Sequence, residues 1–200
     1  MRALVVYESL FGNTREVARA IGRGMRDARP EARVDVLSVD EAPGPPPDVD
    51  LVVVGGPTHF LGVTSRLSRE LERQYERRIR RPVAGRDPGR RSSGTAGLRD
   101  WLARMPRGHG AAAAVFDTRM ATPVAGGAAP GIARRLRRRG YRLVATSRTF
   151  TVTGVGGPLV SGEADRARAW GRELAHALAP GDPPPRPDRP PTGSARGGER

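Results

Sequence analysis

Leu4-Val5-Val6-Tyr7-Glu8-Ser9-Leu10-Phe11-Gly12-Asn13-Thr14 decides how the chain folds. Leu4 to Tyr7 is a continuous apolar run, the pattern of a strand covered on both faces. Ser9 to Gly12 is a short hydroxyl- and glycine-bearing loop. Beyond it Val17, Ile21 and Met25 fall four residues apart, one apolar stripe of a helix over residues 14–28. Asn13 is placed to cap that helix, and Glu16, three residues on, would complete a capping-box-like pair. A strand, a tight loop and a helix in this order present backbone N–H groups at the positive end of a helix dipole. Such a loop can hold a phosphate without a cationic side chain.

The same alternation continues along the chain. Strand-like segments are expected at residues 2–7, 33–38, 50–55, 111–116 and 142–152. Of these, Leu51-Val52-Val53-Val54 and Ala111 to Phe116 are apolar throughout. Helices are expected over 65–79, 98–104, 129–139 and 163–178, with Gly140 as a C-terminal stop. Ala42-Pro43-Gly44-Pro45-Pro46-Pro47 is too proline-rich for a helix, so a loop should join the second and third strands. Alternating β and α elements with right-handed crossovers predict an α/β, doubly wound, five-stranded parallel sheet in a three-layer αβα arrangement. One domain is expected over 1–179. It would carry a basic, flexible insertion at about 80–97 and end in a disordered Pro/Arg/Gly-rich tail over 180–200.

Open parallel sheets bind ligands beyond the carboxyl ends of their strands. Three segments there carry suggestive chemistry: Ser9-Leu10-Phe11-Gly12-Asn13-Thr14, then Gly55-Gly56-Pro57-Thr58-His59-Phe60-Leu61-Gly62, then Asp117-Thr118-Arg119. Two glycines and a proline in the second are expected to set a turn, with flat side chains after it for a planar heterocycle.

Through Ser9-x-Phe11-Gly12-Asn13-Thr14 and Gly55-Gly56-Pro57-Thr58, the chain resembles the flavodoxin family over about residues 1–178. The resemblance implies the flavodoxin-like strand order 2-1-3-4-5 and non-covalent FMN. It implies that Ser9, Leu10, Phe11, Gly12, Asn13 and Thr14 hold the 5′-phosphate. Pro57, Thr58, His59 and Phe60 would line the isoalloxazine, and Asp117, Thr118 and Arg119 would close its other side. Members of the family often sandwich the ring between Trp and Tyr; here His59 or Phe60 stands on one side and only Arg119 or Met120 on the other. Flavodoxins that carry electrons are commonly acidic, and this chain is the reverse.

Formal net charge is +14, and all 35 basic residues are arginine. Residues 64–97 hold ten Arg against four acids, and residues 132–142 hold six Arg and no acid. Such surfaces suit anionic partners. GC-rich codon usage, which favours Arg, Ala, Gly and Pro together, accounts for the excess more plainly. Few aromatic residues argue against single-stranded nucleic acid. No cysteine is present, which excludes disulfides, thiolate metal sites and cysteine nucleophiles. The dinucleotide G-x-G-x-x-G, the P-loop and the G-x-S-x-G elbow are missing too, and three scattered histidines form no metal pattern. No apolar run approaches the roughly 18 residues of a membrane span, and the opening residues do not read as a signal peptide. A cytoplasmic protein is expected.

The function expected from the resemblance is FMN-dependent electron transfer between protein partners, with a redox partner of acidic surface. An FMN-dependent NAD(P)H:quinone-type oxidoreductase is the alternative. A flavin-free basic module for nucleic acid or an acidic partner is the second. Arg119, if it lay ~6 Å from the ring, would stabilise reduced flavin by roughly 2–3 kcal/mol at an effective dielectric of about 20. That raises the potential on the order of 100 mV for one electron.

Overall fold

The computed structural model describes residues 1–42, 44, 48–58, 97–121, 127–154 and 156–178. The expected helix over 65–79, nearly all of the basic insertion and the C-terminal tail lie outside the described residues. β1 (Arg2–Tyr7) enters α1 (Asn13–Ala28), followed by β2 (Arg33–Ser38) and β3 (Leu51–Pro57). Next come α2 (Leu98–Arg104), β4 (Ala112–Met120), α3 (Ala128–Arg138), β5 (Arg142–Leu143), β6 (Arg148–Val152) and α4 (Glu163–Ala177).

The pairs between these strands are all parallel among the described residues, and the order is β2-β1-β3-β4-β5. The single strand expected over 142–152 is interrupted. β5 pairs with Ala112 and Ala113, and β6 pairs with the far end of β4, from Phe116 to Met120. Both pieces therefore occupy the same edge position, and the expected order 2-1-3-4-5 stands with its last strand in two parts.

Pleating sends alternate residues to two separate cores. Ala3, Val5, Tyr7, Leu51, Val53, Ala114 and Phe116 pack under α1 and α4. Leu4, Val6, Val52, Val54, Ala113 and Val115 pack under α2 and α3 with Trp101, Leu102, Ile132 and Leu136. An apolar run with no alternation is what a sheet buried on both faces requires. On the first face α1 and α4 cross at glycines: a Cβ on Gly24 would lie 1.9 Å from the Arg168 carbonyl oxygen, and one on Gly171 2.2 Å from that of Ile21. On the second face Trp101 Nε1 donates to the Ala42 carbonyl at 3.0 Å. Gly140, at φ +82°, follows α3 as expected, its N–H donating to the Arg137 carbonyl.

Two local expectations are corrected. Gly12, not Asn13, is the N-cap of α1, and no side chain caps that end. Asn13 already belongs to the helix, and its amide is used elsewhere. Gly55 and Gly56 do not form a turn either; they sit inside β3, which runs on to Pro57. Their missing side chains make room for packing. A Cβ on Gly55 would meet the Phe116 ring at 2.0 Å, and one on Gly56 would meet Leu98 at 2.7 Å.

Candidate functional site

The carboxyl ends of β1, β3 and β4 lie side by side, so the topology gathers the three segments singled out in the sequence. At the end of β1, Ser9 Oγ accepts a hydrogen bond from the Gly12 N–H at 3.1 Å, which curls residues 9–12 into a closed turn. Gly12 stands at φ +90°, a left-handed conformation that glycine adopts at little cost. From there α1 begins, its first-turn N–H groups pointing out of the helix end by geometry alone. Arg15 adds something the sequence reading missed: its Nη2 lies 3.9 Å from where a Gly12 Cβ would be. The cradle is therefore cationic as well as amide-lined. Its donor set, the room left at Gly12 and the adjacent guanidinium all fit the phosphate of a nucleotide.

Asn13 and Thr14 face inward. Asn13 Nδ2 donates to the Gly157 carbonyl at 2.6 Å and ties the loop to the segment that carries Gly156 and Gly157. Phe11 lies against that same segment, since a Cβ on Gly156 would be 3.2 Å from its ring. Thr14 is 2 % exposed, and its hydroxyl shares a 2.8 Å hydrogen bond with that of Thr118. The glycines at 154, 156 and 157 were a signal for this fourth loop. They went unused because nothing local shows which strand end a distant loop will reach.

Asp117, Thr118 and Arg119 are not a loop. β4 continues through Met120, where these residues pair with Thr149, Phe150 and Thr151 of β6. Asp117 is fully buried. Its Oδ2 accepts from Thr58 Oγ1 at 3.2 Å and from the Ala129 N–H at 2.9 Å, and its Oδ1 accepts from Thr149 Oγ1 at 2.7 Å. Thr58 Oγ1 in turn accepts from the Ala128 N–H at 3.0 Å, while the Thr58 N–H donates to the Thr118 carbonyl at 2.8 Å. One carboxylate thus holds the end of β3, the start of α3 and β6 together. A negative charge at a helix N-terminus is favourable for the same reason as an anion at α1. Arg119 is half-buried at the end of β4. Pro57 and Thr58 stand beside the Thr118 end of β4; His59 and Phe60 lie outside the described residues.

Glu8, between β1 and the cradle, is another residue the sequence did not mark. It is fully buried, and its Oε2 accepts from the Leu98 N–H at the start of α2 at 3.1 Å. Like Asp117 it anchors a helix to the sheet.

No protein-family model matches the chain, and no curated protein does. Solved structures do. A flavodoxin from the domain Archaea aligns over 89 % of this chain and 99 % of its own at 19 % identity, with a TM-score of 0.55. Oxidised Flavodoxin 1 from Bacillus cereus aligns over 90 % and 100 % at 18 % identity, TM-score 0.60. Flavodoxin 2 from the same organism aligns over 89 % and 97 % at 18 % identity, TM-score 0.51. The chain has a flavodoxin-like fold. In that fold the cradle at Gly12 lies where the strand order reverses between β1 and β3, the position at which open α/β sheets take ligands. No helix among the described residues is long and apolar enough to cross a membrane, and no group of His, Asp and Glu among them could hold a metal.

Proposed function

We propose that this flavodoxin-like protein binds FMN and passes electrons between protein partners. One observation carries the reading: the Ser9–Gly12 turn opens an uncapped helix end, with Gly12 left-handed and Arg15 beside it, at the switch point of the sheet. Backbone amides of Leu10 and Phe11, the end of α1 and the Arg15 guanidinium would take the phosphate. Ser9 fixes the turn by accepting from the Gly12 N–H, and its hydroxyl hydrogen would be left to donate to the phosphate. Thr14 and Asn13 hold the cradle from below through Thr118 and Gly157. Pro57 and Thr58, with His59 and Phe60 after them, would border the ring on one side and Arg119 on the other. Bound FMN would supply the electron exchange; the chain's part is to hold it, orient it and set the charge around it.

The cytoplasm, a partner of acidic surface and a carrier role form a consistent set with this reading. The test is FMN titration of the folded apoprotein, read by quenching of flavin fluorescence. Wild-type protein should bind, and Gly12→Val, which forces a β-branched residue into left-handed backbone, should lose binding while keeping its helical circular dichroism. Folded wild-type protein that leaves FMN fluorescence unchanged refutes the reading. Quinone reduction with NAD(P)H by the loaded protein, faster than by free FMN, would replace the carrier role with the oxidoreductase one.

A further inference from the structure

A groove of about 270 Å³ runs from the cradle along the outer side of α1, lined by Phe11, Gly12, Asn13, Arg15, Glu16, Arg19 and Arg23. Arg15, Arg19 and Arg23 are four residues apart, so they stack along one helix face about 6 Å per step. Arg19 and Arg23 are exposed, and neither forms an ion pair among the described residues. The surface continues onto α4. Asp27, one turn beyond Arg23, is held by Arg168 at 2.5 and 3.0 Å and lies 3.7 Å from Arg172. Five arginines thus share a surface that starts at the cradle with Glu16 and Asp27, with Asp165 beside Arg168 and Glu41 near Arg15 and Arg19 at its margins; Arg19 and Arg23 remain its exposed centre.

We propose that this α1 face docks an acidic protein segment, its carboxylates seated on Arg19 and Arg23. A guanidinium fork pairs bidentately with a carboxylate. Carboxylates four residues apart on a helix repeat at the same 6 Å as the arginines they would meet. A nucleic-acid backbone fits this face less well. A continuous run of phosphates along the groove would pass Glu16 and Asp27, whereas separate carboxylates can be placed between them. The proposal rests on the redox reading for its purpose, since a partner seated here lies directly against the cofactor cradle; the binding itself does not need FMN.

The probe is a synthetic helical peptide with glutamate at every fourth position. It is titrated into the full-length protein by fluorescence anisotropy at low salt, beside a labelled oligothymidylate. Wild-type protein should bind the peptide, and Arg19→Glu/Arg23→Glu should weaken it about tenfold or more through lost attraction and new repulsion. Arg19→Gln/Arg23→Gln should fall between. Arg134→Glu/Arg138→Glu makes the same change of net charge on α3, across the sheet, and should leave the affinity within about twofold. Equal weakening by the α3 variant would make the effect one of net charge and overturn the proposal. So would no peptide binding by wild-type protein, or oligothymidylate binding at least as tight and equally dependent on Arg19 and Arg23. FMN titration of the same samples separates the two readings: a protein that takes the peptide but not FMN keeps the docking face and loses the flavin assignment.

Discussion

Replacing Asp117 by Asn should unfold the site from beneath, and the size of the effect follows from the three donors the carboxylate serves. Thr149 Oγ1 at 2.7 Å, the Ala129 N–H at 2.9 Å and Thr58 Oγ1 at 3.2 Å all point at oxygens with no access to water. Asn keeps one oxygen. That oxygen is best kept on the Ala129 N–H and Thr58, with the amide NH2 given to the Thr149 hydroxyl, which turns to accept, so that all three bonds lose their charge assistance and α3 trades a charged anchor for a neutral one. A hydroxyl can rotate in this way; the backbone N–H cannot. One hydrogen bond to a charged group contributes about 1.5–3 kcal/mol, and an unmet buried donor costs as much as its desolvation. A net loss of about 2–3 kcal/mol is expected for Asn, and about 4 kcal/mol for Asp117→Ala, which abandons all three donors. With a urea slope of about 2 kcal/mol/M, the midpoint should drop by roughly 1–1.5 M in Asp117→Asn. The assay is urea unfolding followed by tryptophan fluorescence, since Trp101 and Trp170 report one core each. An Asn variant unfolding within about 0.3 M of wild type would refute the idea that this carboxylate joins β3, α3 and β6.

Gly171→Ala should lower stability by about 1–3 kcal/mol, read as a fall in the thermal midpoint, because its Cβ would land 2.2 Å from the Ile21 carbonyl and force α1 and α4 apart. An unchanged midpoint would show that the crossing is looser than it looks. Alkaline pH should unfold the protein through two tyrosines. Burial first, then Glu41, with Arg15 and Arg19 opposing, raises the Tyr7 hydroxyl above its ordinary 10.0; burial raises Tyr141, with Arg139 opposing. A folded pKa above the unfolded one gives stability that is complete below about pH 10 and lost as pH rises through the folded value. Urea midpoints should therefore fall above about pH 10, and fall less in Tyr7→Phe/Tyr141→Phe; identical slopes would rule the tyrosines out. In FMN-loaded protein, Arg119→Gln should move the midpoint potential negative by about 30–100 mV, since a cation near the ring favours the reduced flavin. Spectroelectrochemical titration showing no negative shift would place Arg119 out of range.

Much of the layout was written locally. Leu4 to Tyr7 and Leu51 to Val54 have no polar face, and only a sheet covered on both sides can use such strands. Val17, Ile21 and Met25 repeat at helical spacing, and α1 buries all three. Errors arose where a residue's role depends on a distant neighbour. Gly55-Gly56-Pro57 has the composition of a turn, yet the two glycines clear space for Phe116 and Leu98, which arrive from 61 and 42 residues further on. Asp117-Thr118-Arg119 looked like a loop because its polarity ends an apolar run. β6 extends β4 past that point and turns the polar residues into an internal network.

The amino-acid order alone determined the strand–loop–helix opening, the parallel sheet and the loop at Gly12, because those depend on periodicity and on one residue free to turn left-handed. Tertiary structure alone decided which groups are available at that loop. It turned Thr14 toward Thr118, bound Asn13 to Gly157 and buried Asp117 among three donors. Hydrogen bonds and charges act through space over a few ångströms, and a sequence records distance only along the chain.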